Sequence, residues 1–247
     1  MDDKTMAGRI VQIIDAVTAE GPLTLAELAR TTCLPRSTAH RIAEDLCSRH
    51  LLVKAAERYE LGTRVISWGC HAMARDRLRV AAAPVLADLH SRSGRFAWLY
   101  RVDGEDIQLL DRTLPASVPD SVSRLPWPRN LRRAGLLLAA GGQVAMADHP
   151  MQVDELLRQG LPRTSPYSPV RAQQIVEGMT RCRETGRAID REGFLLGWAC
   201  VAAPIRDGAG ATIGAIGITG RSVSFDPARL AAHVLTGAEA VSACLVG

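Results

Sequence analysis

Apolar residues recur at helical spacing near the start of the chain, from Ile10 to Val17. They predict a first helix, which the dipeptide Gly21-Pro22 ends. Thr24 is followed three residues later by Glu27, the spacing of a capping box, in which each side chain bonds the other residue's backbone N–H. This pair predicts a second helix from Leu25 to about Thr32.

A tight turn at Cys33-Leu34 leads into a third predicted helix, from Pro35 to about Arg49. Proline suits the first position of a helix because its missing N–H would have no partner there. Two short extended runs follow, Leu51–Ala55 and Arg58–Leu61, and so few residues separate them that only a hairpin can connect them. Two helices joined by a tight turn and followed by a hairpin indicate a winged helix-turn-helix.

The rest of the chain mixes helical and extended patterns. Residues 63–79 have helical spacing and become basic towards Arg79, which predicts a helical linker. Beyond it the patterns predict helices over 83–91, 131–140, 153–159, 171–185 and 227–245, strands over 96–101, 107–112, 198–205 and 212–219, and a proline-rich loop over 115–128. The expected organisation is α+β, with a DNA-binding domain over 1–62, a linker over 63–79 and an α/β domain over 80–247.

Composition narrows the class of protein. Apolar residues make up 47% and charged residues 23%, so the chain has ample material for a core. The six cysteines form no Cys-x-x-Cys pair, the start of the chain has no apolar signal core, and no apolar run reaches the roughly 18 residues of a membrane span. We therefore expect a reduced cytoplasmic protein without a membrane segment.

The helix-turn-helix pattern assigns an inner and an outer face to the third helix. Ala29, Leu34, Ala39 and Ile42 stand where the two helices must cross and pack. The outward positions that could read base edges and phosphates are Arg36, Ser37, Thr38, His40 and Arg41, with Arg58 on the wing.

Charge agrees with this interpretation. The whole chain carries a formal net charge of only +4, whereas the segment 30–64 holds seven Lys or Arg and four Asp or Glu, a net +3. The basic surplus is thus concentrated where DNA would bind. A small helical bundle with a solvated basic face is the weaker alternative, because the hairpin directly after the helices is specific to winged folds.

Signatures of other functions are absent from the sequence. The chain has no glycine-rich phosphate loop, no His-Glu-x-x-His motif and no nucleophile elbow, so we expect neither an enzyme nor a catalytic residue. His71, His90, His149 and His233 lack metal-ligand spacing, and we expect neither a metal nor a cofactor. We expect Trp98, Trp127 and Trp198 to serve in packing rather than as an aromatic cage.

The chain resembles the IclR family of bacterial transcriptional regulators over nearly its whole length. The matching stretches are Leu28-Ala29, Leu34 to Arg41, the wing end Tyr59-Glu60-Leu61-Gly62, Gly186 to Glu192, Gly197 to Pro204 and Ile213 to Gly220. The C-terminal stretches are the more specific, since many winged helices share the first. The resemblance implies a GAF-like domain that binds a small effector, and homodimers or dimers of dimers on palindromic operators.

The resemblance also implies effector contacts at three places. One is a helix start that falls on Pro128 to Gly135 and includes Asn130, Arg133, Ala134 and Gly135. The others are the acid and thiol Asp190 and Cys200, and the strand positions Gly217 and Thr219. Backbone N–H groups at a helix start suit a small anion such as a carboxylate.

The sequence departs from the family pattern at this site. Asn130 stands where a histidine is usual, Gly217 where a hydroxyl residue is, and Arg132 and Arg133 replace small residues; the two arginines could face the pocket or the solvent. Asp190 either contacts the effector or caps the next turn, and Cys200 is either a ligand contact or a core residue. We expect a ligand-responsive regulator; the alternative is a winged-helix regulator that has lost small-molecule sensing.

Overall fold

The computed structural model describes residues 5–103, 106–114 and 133–246. Residue contacts divide the chain into two compact units, Met1–Arg75 and Asp76–Gly247, called here the first and the second unit. At the division Asp76 has an extended backbone, and its Oδ1 accepts a hydrogen bond from the N–H of Arg79 at 2.9 Å. Asp76 therefore caps a new helix, so the segment 63–79 contains two helices where the pattern predicts one.

The first unit is a winged helix-turn-helix. Its elements are α1 (Met6–Glu20), β1 (Leu23–Thr24), α2 (Leu25–Thr32), α3 (Arg36–Ser48), β2 (Leu52–Ala55), β3 (Arg58–Leu61) and α4 (Thr63–Arg75). The strands form an antiparallel sheet in the order β1-β3-β2. The predicted hairpin and the three predicted helices are all present, and α3 begins one residue later than expected because Pro35 takes the N-cap position.

Local chemistry sets the boundaries of α2. The Thr24 hydroxyl accepts a hydrogen bond from the N–H of Glu27, and the Glu27 carboxylate accepts one from the N–H of Thr24 at 2.8 Å. At the other end Cys33 adopts the left-handed conformation with φ of 53°, which costs a residue other than glycine some strain. The predicted capping box and turn thus fix the angle at which α3 leaves α2.

The core of the first unit joins all three of its leading helices to the hairpin. Its buried residues include Ile13, Leu28, Ile42, Leu46 and Leu52, together with Tyr59, which is 1% exposed. The Tyr59 hydroxyl donates to Glu44 Oε1 on α3 at 2.9 Å, so the wing is tied to α3 by a hydrogen bond as well as by packing. Helix α4, by contrast, buries none of its residues in this unit.

The second unit is built on a five-stranded antiparallel sheet. Its elements are α5 (Arg77–Ser93), β4 (Phe96–Asp103), β5 (Asp106–Thr113), α6 (Arg133–Leu136), α7 (Ala140–Met146), α8 (Pro150–Arg158), α9 (Ala172–Thr185), β6 (Ala188–Arg191), β7 (Trp198–Arg206), β8 (Thr212–Arg221), a 3-10 turn (Ser222–Ser224) and α10 (Pro227–Val246). The strand order is β5-β4-β8-β7-β6. The α+β class predicted from the sequence is confirmed.

The two faces of this sheet pack against different helices. One face carries Leu99, Val201 and Ile216 and forms the main core with α5 and α10. The other carries Trp98, Tyr100 and Ala202, and it packs on α7 and α9. Because strand residues alternate between faces, the two cores share strands but no side chains.

Helix α10 is, in the described part of the chain, the one helix long and apolar enough to cross a membrane by length and composition. Its buried stripe includes Leu230, Val234 and Val241, and these side chains belong to the main core of the second unit. That placement is typical of a core helix in a globular domain.

Several boundaries differ from the sequence predictions. Helix α5 begins at Arg77 instead of near residue 83, because Asp76 caps it. The helix predicted over 131–140 is two short helices, α6 and α7, separated by a turn at residues 137–139. Strand β6 was absent from the predictions, and the loop predicted over 115–128 lies outside the described residues.

Candidate functional sites

Helix α3 has one buried and one solvent-facing side. Ala39, Ile42, Ala43 and Leu46 are buried against the core of the first unit. On the outer side Arg36, Ser37, His40 and Arg41 are exposed and Thr38 is half-buried. These five outward residues, which we call the reading surface, are the positions that the helix-turn-helix pattern assigns to DNA contact.

The first turn of α3 has N–H groups without a hydrogen-bond partner among the described residues. Pro35 occupies the N-cap position and makes no side-chain cap, and Ala39 is the first residue whose N–H bonds back into the helix, to the Pro35 carbonyl at 2.9 Å. The preceding N–H groups and the positive end of the helix dipole are therefore available to an anion such as a phosphate.

The two arginines of the reading surface are also available. Among the described residues, Arg36 and Arg41 form no ion pair, whereas His40 lies 3.9 Å from Glu44 and Arg49 lies 3.1 Å from Asp45. Both guanidinium groups can reach phosphate oxygens or guanine edges without first breaking a contact within the protein.

Arg58 has a different environment from the reading surface. Its Nη1 donates to the carbonyl oxygen of Pro22 at 2.8 Å and lies 3.1 Å from Glu27 Oε2. The pKa of Glu27 is lowered, first by its hydrogen bonds from Thr24 and then by Arg58. Arg58 thus fastens the hairpin to the start of α2, a structural role that the sequence pattern does not indicate.

In the second unit, three of the expected effector residues lie side by side. Asp190 on β6 pairs with Cys200 on β7, and Cys200 pairs with Thr219 on β8. Directly paired residues of neighbouring strands share a face of the sheet, so the carboxyl, thiol and hydroxyl groups form one row. All three line a cavity between the sheet and α7, called here the central cavity.

Aromatic and small residues form most of the remaining wall. The described lining includes Trp98, Tyr100, Phe194 and Trp198, and the cavity measures about 70 Å³. Trp98 and Trp198 are 2% and 8% exposed, so they pack as predicted and also border the cavity. The alternation Phe96, Trp98, Tyr100 along β4 was the sequence signal for an aromatic face.

The side chain of Trp98 occupies the space next to Gly217. A Cβ atom at position 217 would lie 2.3 Å from Cζ2 of the indole, and the indole Nε1 donates to Thr219 Oγ1 at 2.9 Å. Gly217 is covered by Trp98 and is not part of the described lining of the cavity, so the glycine makes room for the indole. Gly141 does the same from α7, where a Cβ would lie 2.9 Å from Trp98.

The structure describes only part of the helix start that the resemblance assigns to the effector. Asn130 lies outside the described residues, and Arg133 and Ala134 are described only as backbone in α6. Gly135 is buried in α6 but does not line the cavity. Among the described residues, the wall on this side consists of Leu136, Ala139, Gly141 and Gly142, which follow directly after the stretch that the resemblance indicates.

Asp190 caps the next turn and also borders the cavity. Its Oδ1 accepts from the N–H of Gly193 at 2.8 Å, and its Oδ2 accepts from the N–H of Phe194 at 3.4 Å. Burial raises the pKa of Asp190 to about 7, against the lowering effect of these two hydrogen bonds. The carboxyl group is therefore partly neutral near physiological pH.

The other ionisable groups of the described lining are neutral. Burial raises the pKa of the Cys200 thiol to about 12 and holds the pKa of Tyr100 well above its usual value. The described lining contains no Lys, Arg or His. This end of the cavity thus offers hydrogen bonds and aromatic contact but no positive charge.

Two family models match the chain. The one described as the IclR helix-turn-helix domain covers residues 7–55, and the one described as the bacterial transcriptional regulator IclR C-terminal covers residues 70–243. The chain belongs to the IclR family. It is a transcriptional regulator, not an enzyme, with a helix-turn-helix for DNA and a ligand-binding C-terminal domain.

Individual relatives agree over most of the chain. The HTH-type transcriptional regulator BhcR of Paracoccus denitrificans is 28% identical over 91% of this chain and 80% of its own length. The glycerol operon regulatory protein of Streptomyces griseus is 27% identical over 81% of this chain and 78% of its own length.

Solved structures share the fold. A regulator from Alicyclobacillus acidocaldarius superposes with a TM-score of 0.82 at 19% identity, covering 96% of this chain and 97% of that one. A homologue from Microbacterium hydrocarbonoxydans, solved with 4-hydroxybenzoate, gives 0.79 at 20% identity and covers 98% of this chain and 99% of that one.

Proposed function

We propose that this regulator binds a palindromic operator as a homodimer or a dimer of dimers, and that a small metabolite in the central cavity modulates its affinity for DNA or its activity. The main support for operator binding is the start of α3. There, uncapped N–H groups adjoin two arginines that make no ion pair with any described residue. Such a helix end places donors on phosphates while the side chains reach base edges.

Operator contact is assigned to Arg36, Ser37, Thr38, His40 and Arg41. Arg58 is a weaker candidate, because its guanidinium is already bonded to Pro22 and Glu27. Assembly into symmetric oligomers is supported by α4, where Ile66 and Trp68 are 64% and 54% exposed. Val65 is the α4 residue that packs on the core of the first unit, and large apolar side chains left exposed on such a helix are typical of an interface between copies.

The proposed effector is a small metabolite with an anionic and a neutral end. A carboxylate is assigned to the helix start that includes Arg133 and Ala134, since the described lining near Asp190 offers it no positive charge. A neutral hydroxyl or ring is assigned to the Asp190, Cys200 and Thr219 end. The 4-hydroxybenzoate of the Microbacterium homologue has this division of charge. The proposed site of action is the cytoplasm.

The DNA half is tested by binding to the fragment upstream of the protein's own gene at two salt concentrations. Specific binding should weaken as salt rises, because each phosphate contact releases counterions. Arg36→Ala and Arg41→Ala should each weaken binding about tenfold without lowering the melting temperature, since both side chains are exposed.

The control variant is Arg229→Ala, which removes an exposed arginine from the second unit. It should leave DNA affinity unchanged. If wild-type protein binds no such fragment, or if the three variants weaken binding equally, the assignment of the reading surface to DNA is wrong.

A second candidate function is regulation without a small molecule. It is favoured by Trp98, which covers Gly217 and leaves a cavity of about 70 Å³ within the described lining. An engineered apolar cavity of about 150 Å³ is known to hold benzene, so this cavity would have to widen for a ring. A panel of carboxylates that shifts neither the melting temperature nor DNA affinity would favour this second function.

A further inference from the structure

A second cleft lies beside the central cavity, between α9 and the edge strand β6. We call it the arginine cleft, because Arg181, Arg187 and Arg191 line it. Its other lining residues include Gln143, Tyr167, Pro169, Gln174, Gly178 and Gly193, and its volume is about 370 Å³. A volume in the usual range of ligand pockets favours a small molecule over a macromolecular surface.

The charges of the arginine cleft are not balanced within the described part of the protein. Arg181, Arg187 and Arg191 make no ion pair and no side-chain hydrogen bond with any described residue, whereas Arg183, also on α9, donates to the Ala147 carbonyl at 3.0 Å. The one carboxyl group in the described lining is Asp190, and its oxygens accept from the backbone of the next turn. Three arginines therefore line one cleft without an ion pair to any described residue.

Strand β6 adds backbone donors to the same cleft. It lies at the edge of the sheet and, among the described strands, pairs with β7 only, so alternate N–H groups on its outer side have no strand partner there. Residues Ala188 to Arg191 all line the cleft. Guanidinium and amide donors together are the groups that bind the oxygens of a phosphate.

Gly178 keeps the arginine cleft open but lowers the stability of α9. Glycine inside a helix is destabilising relative to alanine. Packing does not demand it here, since a Cβ at this position would meet only Gln143 Oε1 among the described atoms, at an ordinary 3.7 Å. The missing side chain gives a ligand access to the helix backbone beside Arg181.

From these observations we propose that the arginine cleft binds a small phosphate-bearing anion, at a site that adjoins the central cavity and shares only Asp190 with its described lining. The inference does not depend on the proposed effector or operator. It assigns Arg181, Arg187 and Arg191 to the phosphate oxygens.

The test is calorimetric titration of the full-length protein at constant ionic strength with three probes: inorganic phosphate, pyrophosphate and citrate. We expect saturable binding of one pyrophosphate per chain, tighter than phosphate or citrate. Arg181→Gln and Arg187→Gln should each weaken pyrophosphate about tenfold, because each removes charge-assisted hydrogen bonds. Arg163→Gln removes an exposed arginine outside the cleft and should have no effect.

Gly178→Leu tests the site without changing charge. The leucine side chain should fill the cleft and abolish pyrophosphate binding, while the melting temperature should not fall, since leucine favours a helix more than glycine does. The proposal is overturned if pyrophosphate does not bind wild-type protein, if Arg163→Gln weakens binding as much as the cleft variants, or if citrate binds tighter. It is also overturned if an acidic peptide or a second copy of the chain binds there and pyrophosphate does not.

Discussion

The reading surface and the central cavity use polar groups in opposite ways. The reading surface is made by five residues within one turn and a half of α3, and its arginines are exposed and unpaired among the described residues. The central cavity collects Trp98, Asp190, Cys200 and Thr219 from four strands, and its carboxyl group, that of Asp190, is 8% exposed. Exposed arginines are suited to attracting a polyanion from a distance, whereas any ligand of a buried cavity must first lose its water.

This difference predicts whether a mutation changes binding alone or changes stability as well. Exposed charges contribute little to folding, so changes on the reading surface should alter binding and leave stability intact. Residues of the cavity are also core residues, so changes there should alter stability together with any ligand binding. The following variants test the contrast, from the largest expected effect to the smallest.

Trp98→Ala should have the largest effect. It removes a side chain that is 2% exposed, leaves a hole over Gly217 and takes away the hydrogen bond to Thr219. Truncation of a buried aromatic costs about 3–5 kcal/mol, measurable as a lower melting temperature of the second unit by calorimetry. Tyr167→Ala is the control, since that ring is 64% exposed in the second unit. Equal losses for the two variants would contradict the proposed packing of Trp98.

Asp190→Asn should change how stability depends on pH. The pKa of Asp190 is raised from 3.8 to about 7 by burial, so folding favours the protonated form. The stabilisation is complete below pH 3.8 and is lost as pH rises through about 7. Asparagine cannot ionise, so the variant should gain about 3 kcal/mol relative to wild type between about pH 5 and pH 8.

The readout is the difference between the two unfolding free energies as a function of pH. The amide that replaces the carboxyl group still has one oxygen for the N–H of Gly193, so any cost of the lost second acceptor should be the same at every pH. Asp88→Asn, at an exposed position on α5, is the control and should follow the wild-type profile. A difference that stays flat across this range would mean that Asp190 remains charged in the folded protein.

Gly217→Ser tests the close approach of the indole to β8. The added Cβ would lie 2.3 Å from Cζ2 of Trp98 and 2.6 Å from the Val201 carbonyl oxygen, so one of them must move. Overpacking of this kind costs about 1–3 kcal/mol. Gly69→Ser is the control, because a Cβ at Gly69 meets no described atom within 4 Å. Unchanged stability in Gly217→Ser would show that the indole can leave its place without cost.

The contrast between the two sites also explains what the sequence could predict. The capping box of Thr24 and Glu27, the turn at Cys33 and the inner face of α3 depend on residues close together in the chain, and all were predicted from spacing. Local hydrogen bonds and a helical period are visible in a single sequence.

The cavity depends on partners that are far apart in sequence. That Trp98 covers Gly217 follows from the pairing of β4 with β8, two strands that lie far apart along the chain, and no local pattern reports it. Strand β6 was missed because it is short and alternates Ala, Ile, Asp and Arg, with the polar Asp190 on the buried side. From the sequence alone an aspartate in a short segment predicts a turn, because the residues that bury it in the fold lie elsewhere in the chain.

Arg58→Ala should have the smallest effect. Among the residues expected to contact DNA, Arg58 is the one whose guanidinium is already hydrogen-bonded to Pro22 and Glu27. The variant loses hydrogen bonds to Pro22 and Glu27, so the melting temperature of the first unit should fall slightly. DNA affinity should fall less than in Arg41→Ala, because Arg58 is already bonded within the protein. Binding and melting of both variants are measured together. The contrary outcome is that Arg58→Ala weakens DNA binding as much as Arg41→Ala does and leaves the melting temperature unchanged. In that case the Arg58 guanidinium leaves Glu27 for the phosphate backbone when DNA binds, and the wing belongs to the reading surface.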